Sequence, residues 1–412
     1  MRAVAAADAR VALPPFLPEP PGGRTVVVGA GKAAGAMAAA LEENWPGPLA
    51  GLVVVPYGHA APTRRIEVRE AAHPVPDAAG EGAARAILER VGRLGPDDLV
   101  ICLISGGGSA LLTLPAPGLS LAAKQEVTAA LLASGAPIGA INTVRRHLSA
   151  IKGGRLARAA APARIVTLAI SDVPGDDPAL VASGPTVADT TRASDAIKVL
   201  ERYRIAIPQQ VRDVLRRPHQ PPPGPADAAF AAAGFRFVAT PMMALEKAAD
   251  AARAAGVTPF ILSDAVEGEA REVARALAAI ARHSARHGAP FRPPAVLLSG
   301  GETTVTVRGR GRGGRNSDFA LALALALAGA PTVHAIACDT DGIDGLSAAA
   351  GAYVGPDTLE RASQHGLDAR ALLDDNDSAR FFERLGDAVV TGPTLTNVND
   401  FRAILVLATE ES

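Results

Sequence analysis

The chain has 412 residues, of which 48% are hydrophobic and 20% charged, and its formal net charge at pH 7 is -1. That length supports two domains with separate cores, and the near-neutral charge excludes a general binder of nucleic acid or of membrane surfaces. Cys102 and Cys338 are the two cysteines, and without a CxxC or Cys/His cluster they exclude a structural zinc site and fit a reducing cytoplasm.

The first sixteen residues, MRAVAAADARVALPPF, carry charges and no compact apolar segment, so a signal peptide is not expected. TVVVGAGKAAGAMAAALEENW (25–45) then reads as strand, glycine turn and helix. LVVVPYG (52–58) reads as a second strand, 78–95 as a helix, and LVICLISGGGSALL (99–112) as a strand running into a helix. Helical patterns at 120–134 and 139–160 precede the strand RIVTLAIS (164–171) and a helix over 194–205. RRPHQPPPGPADAA (216–229) holds five prolines and is the predicted linker. The division predicted from it is a Rossmann-like α/β domain over 1–225 and a second α/β domain over 226–412.

Beyond the linker come FRFVAT (235–240), a helix to Gly256, TPFILSD (258–264) and a helix to His287. Three more glycine-rich strand ends follow, AVLLSGGETT (295–304), HAIACDTDGIDG (334–345) and AVVTGPTLTNVND (388–400). TTVTVR (303–308) predicts an antiparallel edge strand before a Gly/Arg loop with exposed arginines. FALALALALAGA (319–330) spans roughly 18 Å as a helix, too short to cross a bilayer, and is predicted to be a buried core helix.

Apolar runs of this kind predict strands buried on both faces, hence mostly parallel sheets whose ligands bind beyond the carboxyl ends. The polar, glycine-rich character of the loops there predicts a large polar ligand carrying phosphate. Gly29, Gly31 and Gly35 open a helix after a strand and are candidates for an anion site, with Lys32 as a phosphate partner. A nicotinamide dinucleotide would need an acid at the end of the next strand, and Val55-Pro56-Tyr57-Gly58 offers none. Ser105-Gly106-Gly107-Gly108-Ser109 is the stronger phosphate cradle, since three glycines expose consecutive amides. No P-loop, nucleophile elbow, HExxH or protein-kinase signature occurs.

Asp172, Asp176 and Asp177, with Asp339, Asp341 and Asp344, set carboxylates at two strand ends, where they can hold Mg²⁺ through water, accept a hydroxyl proton or merely cap helices. Arg315 opens an apolar helix, where a guanidinium needs an anion, either Glu302 or a substrate phosphate. His73 and His147 lie near strand ends without metal-ligand spacing.

Eight collinear segments resemble the glycerate 2-kinase family: VVVGAGKAAGAM, CLISGGGSALL, NTVRRHLSAIKGGRLA, LAISDVPGDDPALVASGPTV, LLSGGETTVTV, GGRNSDFALALAL, DTDGIDG and TGPTLTNVND. The resemblance implies MgATP-dependent phosphorylation of D-glycerate at its 2-hydroxyl, in a cleft between two α/β domains. It implies catalytic roles for Lys32, Arg315 and Asp172, and places Glu302, Asn397, Asp341 and Ser105 among substrate- or cleft-binding residues. Nucleotide contacts fall to Gly106, Gly107, Gly108, Ser109, Gly29 and Gly31, and metal contacts to Asp172 and Asp341. The sequence departs from the family pattern at Ser317-Asp318, where Gln-Glu is usual, at Ile343, and at Thr240-Pro241, where Ser-Asn is usual. A cytoplasmic enzyme with a small-molecule substrate is expected; a homodimer is compatible with the sequence, which does not fix the oligomeric state. Two other readings stay open: an NAD(P)H-dependent hydroxypyruvate reductase, the label borne by some relatives, and a non-catalytic sugar-phosphate sensor.

Overall fold

The computed structural model describes residues 2–216 and 222–408. The chain forms two compact units, Asp8–Val238 and Met1–Ala7 with Ala239–Ser412.

The first unit is built on strands β1 (Thr25–Ala30), β2 (Ala50–Pro56), β3 (Ile66–Ala71), β4 (Leu99–Ile104), β5 (Arg164–Ile170) and β6 (Ala233–Ala239), in the order β3-β2-β1-β4-β5-β6. Every pairing from β3 to β5 is parallel. β4 is buried at all of its positions, as an unbroken Leu/Val/Ile run requires when both faces are covered. On one face Ala83, Ala84, Ile87 and Val91 of the helix Ala78–Val91 pack with Val28, Leu52, Val100 and Ile104. β3 (IEVREA) escaped the sequence reading because its charges belong to an edge strand with only its end residues buried. The helix predicted over 139–160 is instead two helices, Ile138–His147 and Arg155–Ala160. Between them the Ser149 hydroxyl accepts from the Ile151 and Lys152 amides and turns the chain.

The predicted linker and the boundary at 225/226 are both displaced. Residues 217–221 of that segment lie outside the described residues, but Pro222 and Pro223 are buried in the first unit. The Asp189 amide donates to the Pro223 carbonyl, and Arg158 pairs with Asp227 at 2.7 Å. β6 then adds to the first sheet beside β5, so the division falls after Val238.

The second unit holds β7 (Thr258–Ser263), β8 (Gly268–Glu269), β9 (Ala295–Gly301), β10 (Thr303–Thr304), β11 (Val333–Asp339), β12 (Gly351–Val354), β13 (Ala388–Val389) and β14 (Asp400–Val406). Its main sheet runs β13-β12-β11-β14-β9-β7, and only β7 with β9 is parallel. The architecture is α/β in both units, yet the second sheet is mixed and mainly antiparallel, unlike the Rossmann-like sheet expected there. The cause is visible in the strands: β12 returns from β11 without a crossover helix, and β14 inserts antiparallel between β9 and β11, with alternating burial in β11 and β14.

TTVTVR is not an antiparallel edge strand. Only Thr303 and Thr304 pair, in parallel, with β8. The following Gly/Arg run lies along the turn 375–377: the Arg308 and Gly309 amides donate to Asn376 Oδ1, and the Arg312 amide to Asp377 Oδ1. A Cβ on Gly309 would stand 2.1 Å from the Asp375 carbonyl oxygen, which explains the alternating glycines. Arg308, Arg310 and Arg312 are exposed.

The helix Arg315–Leu327 is the core of this unit, as predicted, with Phe319, Leu321, Leu323 and Leu327 buried. Ala270, Ala274, Ala278 and Ala281 of the helix Ala270–His287 share its core; their three- and four-residue spacing makes a small-residue ridge that permits close packing. Thr240-Pro241 has its own local use: Pro241 starts a helix and Thr240 Oγ1 caps it through the Met243 amide. No helix among the described residues is long and apolar enough to cross a membrane.

Candidate functional site

The parallel strands of the first sheet end on one edge, and the strand order reverses there between β1 and β4, where open α/β sheets take ligands. Gly31 and Lys32 follow β1, Ser105–Ser109 follow β4, and Ser171 and Asp172 follow β5. The Lys32 amide donates to the Gly106 carbonyl at 2.8 Å and the Ala33 amide to Ser105 Oγ at 2.9 Å. The Gly31 amide donates to the Val54 carbonyl. The amides that would seat a pyrophosphate at this first turn are therefore already engaged. Gly29 and Gly31 are closely packed against the neighbouring strand. A Cβ on Gly29 would stand 2.1 Å from the Leu103 carbonyl oxygen, and one on Gly31 2.1 Å from Ser105 Oγ.

The glycine loop after β4 differs. Gly107 holds φ at 82° and opens the short helix Gly108–Leu111. The Gly106 and Gly107 amides meet no acceptor among the described residues. A Cβ at Gly107 would lie 3.1 Å from His73 Nε2 and 3.5 Å from Lys32 Cγ, so loop, lysine and exposed imidazole share one spot. Behind them Ser109 Oγ meets Ser183 Oγ at 2.8 Å, and Ser183 donates to Asn142 Oδ1 at 3.0 Å. Ala182 and Ser183 hold φ of 50° and 61°, strain on the order of 1–3 kcal/mol each of the kind that gathers at functional sites. His147 is structural: it is buried, bonded to Thr191 at 3.0 Å, and its pKa is lowered by burial.

In the second unit β9 and β11 end, and β14 begins, on a common edge. Asp400 lies opposite Gly301 on one side and Asp339 on the other, which gathers Glu302, Asp339 and Asp400. Arg315 meets all three: Nε donates to Asp400 at 2.6 Å, Nη1 to Glu302 at 2.8 Å, and Nη2 to Asp339 at 2.7 Å and Asn399 at 3.2 Å. Asp344 fixes the start of this helix, accepting from the Asn316 and Ser317 amides at 2.9 and 2.8 Å and from the Ser317 hydroxyl at 2.7 Å. Buried Asp318 takes Arg271 at 3.1 Å and the Ser378 hydroxyl at 2.5 Å, so the unusual Ser317-Asp318 pair anchors the same helix end.

Burial opposes the charge on Arg315, but Asp400, Asp339 and Glu302 outweigh it and hold the guanidinium more firmly charged than usual. Burial and the neighbouring Asp341 push the Asp339 carboxyl up to about 8, against the pull of Arg315. The Asp341 amide donates to Asp339 at 3.0 Å, and its Oδ1 accepts from the Ile343 amide at 2.9 Å. Asn397 Oδ1 accepts from the Asn399 amide at 3.0 Å and shapes the turn that presents Asn399.

The structure thus brings together Lys32, Ser105–Ser109 and the Asp172 loop in the first unit, and Arg315, Glu302, Asp341 and Asn397 in the second. Asp172 and Asp341, paired in the sequence reading as metal contacts, belong to different units. Among the described residues there is no group of three or more His, Cys, Asp or Glu that could hold a metal ion. A magnesium ion arriving on nucleotide phosphates needs only one or two carboxylates and no such cage. Sequence reasoning missed Asp400 and Asn399. The signal was present: a buried arginine at a helix start needs more negative charge than Glu302 alone, and both residues stand in TLTNVND.

Residues 1–216 match the family described as a domain of unknown function (DUF4147), and residues 295–400 match the MOFRL family. A protein of Agrobacterium vitis, provisionally named a hydroxypyruvate reductase, is 56% identical over 98% of this chain and 92% of its own length. The D-glycerate 2-kinase of Thermotoga maritima is 39% identical over 92% of this chain and 89% of its own. The crystal structure of the glycerate kinase from Thermotoga maritima superposes with a TM-score of 0.90 at 38% identity, covering 98% of this chain and 97% of that one. With its motifs, both units and these relatives in agreement, the chain belongs to the glycerate 2-kinase family.

Proposed function

We propose that the protein is a glycerate 2-kinase, transferring the γ-phosphoryl group of ATP to the 2-hydroxyl of D-glycerate to give 2-phosphoglycerate. The observation that carries this reading is the glycine loop after β4, whose Gly106 and Gly107 amides are unengaged beside Lys32 at the switch point of the sheet. Phosphoryl transfer requires positioning and charge neutralisation more than covalent chemistry. The loop Gly106–Ser109 cradles phosphate, Lys32 offsets its charge, and Asp172 accepts the hydroxyl proton. Arg315 is the candidate cation of the second unit. Its Glu302 arm is the exposed one, with half of the Glu302 side chain accessible, and is the arm a phosphate oxygen can replace. Mg²⁺ enters as part of the nucleotide substrate, and ATP as donor sets the reaction in the cytoplasm.

The name of the Agrobacterium relative favours a second reading, hydroxypyruvate reduction by a nicotinamide cofactor. Against it, the amides of the β1 turn are engaged, and the acid nearest the end of β2, Glu70, accepts from the Gly58 amide at 2.7 Å. The two readings separate in one experiment. Purified protein is given D-glycerate, ATP and Mg²⁺, and the product is read by phosphorus NMR. A 2-phosphoglycerate signal that disappears on chelation of Mg²⁺ is expected. A 3-phosphoglycerate signal refutes the regiochemistry, and NADH oxidation by hydroxypyruvate without ATP establishes the reductase.

A further inference from the structure

A kinase for a hydroxy acid must recognise a carboxylate as well as a hydroxyl, and the first unit holds a cluster of three cations of which only Lys124 feels a nearby carboxylate, that of Glu81. Lys124, Arg145 and Lys152 lie close enough to disfavour one another's charge. Lys152 is fully buried and donates to the Leu112 carbonyl, which ends the helix opened by the glycine loop. Lys124, also buried, donates to the Leu148 carbonyl at 3.2 Å. Both lysines therefore satisfy neutral carbonyls, and either can become neutral itself.

Arg145 cannot shed its charge. It stands on the helix Ile138–His147, and the one hydrogen bond of its guanidinium among the described residues is a long one, 3.4 Å from Nη1 to Asn142 Oδ1. Its neighbours on the chain are engaged. Arg146 pairs with Asp189 at 3.0 Å, and Arg155 donates to the Arg146 and Lys152 carbonyls at 3.1 and 3.0 Å. No carboxylate among the described residues pairs with Arg145. A half-buried guanidinium without an anion is costly to the fold, and the cost is recovered where an anion is to be bound. The position is telling: Asn142 Oδ1 also accepts from Ser183, which meets Ser109 of the glycine loop. Arg145 is only half-buried, so a small anion can reach it.

We propose that Arg145 receives the carboxylate of the hydroxy-acid substrate. The inference rests on the kinase reading above. The planar fork of arginine matches two carboxylate oxygens, which a lysine point charge cannot. A neutral analogue would leave the fork unpaired, so Arg145 sets specificity by rejecting alcohols that lack the acid.

The test compares kcat/KM for D-glycerate and for its neutral amide, glyceramide, together with KM for ATP, in wild type, Arg145→Gln and Arg145→Lys. Wild type prefers glycerate, and Arg145→Gln is expected to lower that preference on the order of 10²-fold while KM for ATP moves less than about twofold. Arg145→Lys should recover part of the preference, and it reads the same ratio if the glutamine variant does not fold. An unchanged preference, whatever the fall in activity, overturns the inference. So does a rise in KM for ATP in place of glycerate, which would assign Arg145 to nucleotide phosphate. Calorimetric titration with D-glycerate separates the two readings. A wild type that binds glycerate through Arg145 without phosphorylating it sinks the kinase and keeps the carboxylate site; a kinase indifferent to Arg145 does the reverse.

Discussion

Asp339 offers a contest between two effects whose outcomes differ in sign. Its carboxylate lies 2.7 Å from Arg315, and an isolated ion pair of that geometry would hold it ionised. It is also buried beside Asp341 and Asp400, and these push it up to about 8. Arg315 faces Glu302, Asp339 and Asp400 at once, and Asp400 is shared with the buried Arg402, so the pull of Arg315 on Asp339 is divided among several acids. In the unfolded chain the group returns to about 3.8. Between those values the native state keeps a proton that the unfolded state has released, so stability from this group is present below about 3.8 and is lost as pH rises through about 8. At about 1.4 kcal/mol per pH unit the full loss is on the order of 5 kcal/mol. An asparagine at this position cannot titrate; its amide oxygen can accept from Arg315 or from the Asp341 amide but not from both, because these meet different oxygens of Asp339, so the variant gives up one hydrogen bond, on the order of 1 kcal/mol. The Asp339→Asn variant should therefore lie about 1 kcal/mol below wild type near pH 5 and exceed it in urea unfolding near pH 9. A variant weaker than wild type near pH 9 would show that the ion pair wins and refute the reasoning.

Lys32→Ala should lower kcat/KM by about 10²-fold or more with the fold intact, the loss typical of one charge donor at a transferring group; near-normal turnover removes Lys32 from the chemistry. Gly107→Ala places a Cβ 3.1 Å from His73 at a left-handed φ, costing about 1 kcal/mol of stability, and should raise KM for ATP far more than KM for glycerate. Equal effects on both would put the nucleotide elsewhere. Arg315→Lys keeps the charge but not the four-contact fork, so it should fold and lose about 10²-fold in kcat/KM. Lost thermal stability with unchanged specific activity would make Arg315 structural.

The parallel sheet was legible because LVICLI and TVVV have no polar alternation, the pattern that burial on both faces gives parallel strands. The antiparallel pairings of the second unit were not legible. HAIACD reads as an equally apolar run, and its direction relative to β14 is set by the 340–350 turn and by where the chain returns. The polar site was half legible. Lys32 and Ser105–Ser109 are local motifs, whereas the ring of acids around Arg315 comes from residues 302, 339 and 400, joined only by strand register. Asp344 shows the opposite case, since a loop acid that could have been catalytic is a helix cap.

The strand order of the first unit is that of dinucleotide-binding folds, and the difference in chemistry lies in which turn is open. In those folds the β1 turn offers its amides to a pyrophosphate. Here Ser105 Oγ and the Gly106 carbonyl reach across from the neighbouring strand and occupy the Ala33 and Lys32 amides. The same contacts hold the β4 loop against β1, so that Gly107 turns toward Lys32 and His73. Closing one anion seat thereby builds the other, one strand away and with a lysine already in place. An acid beside β2, which a ribose would need, then has no ligand to meet, and Glu70 ties the Gly58 turn instead. Relatives that carry a reductase name and keep this serine and glycine would have the same seat closed, so the name and the geometry can be judged apart.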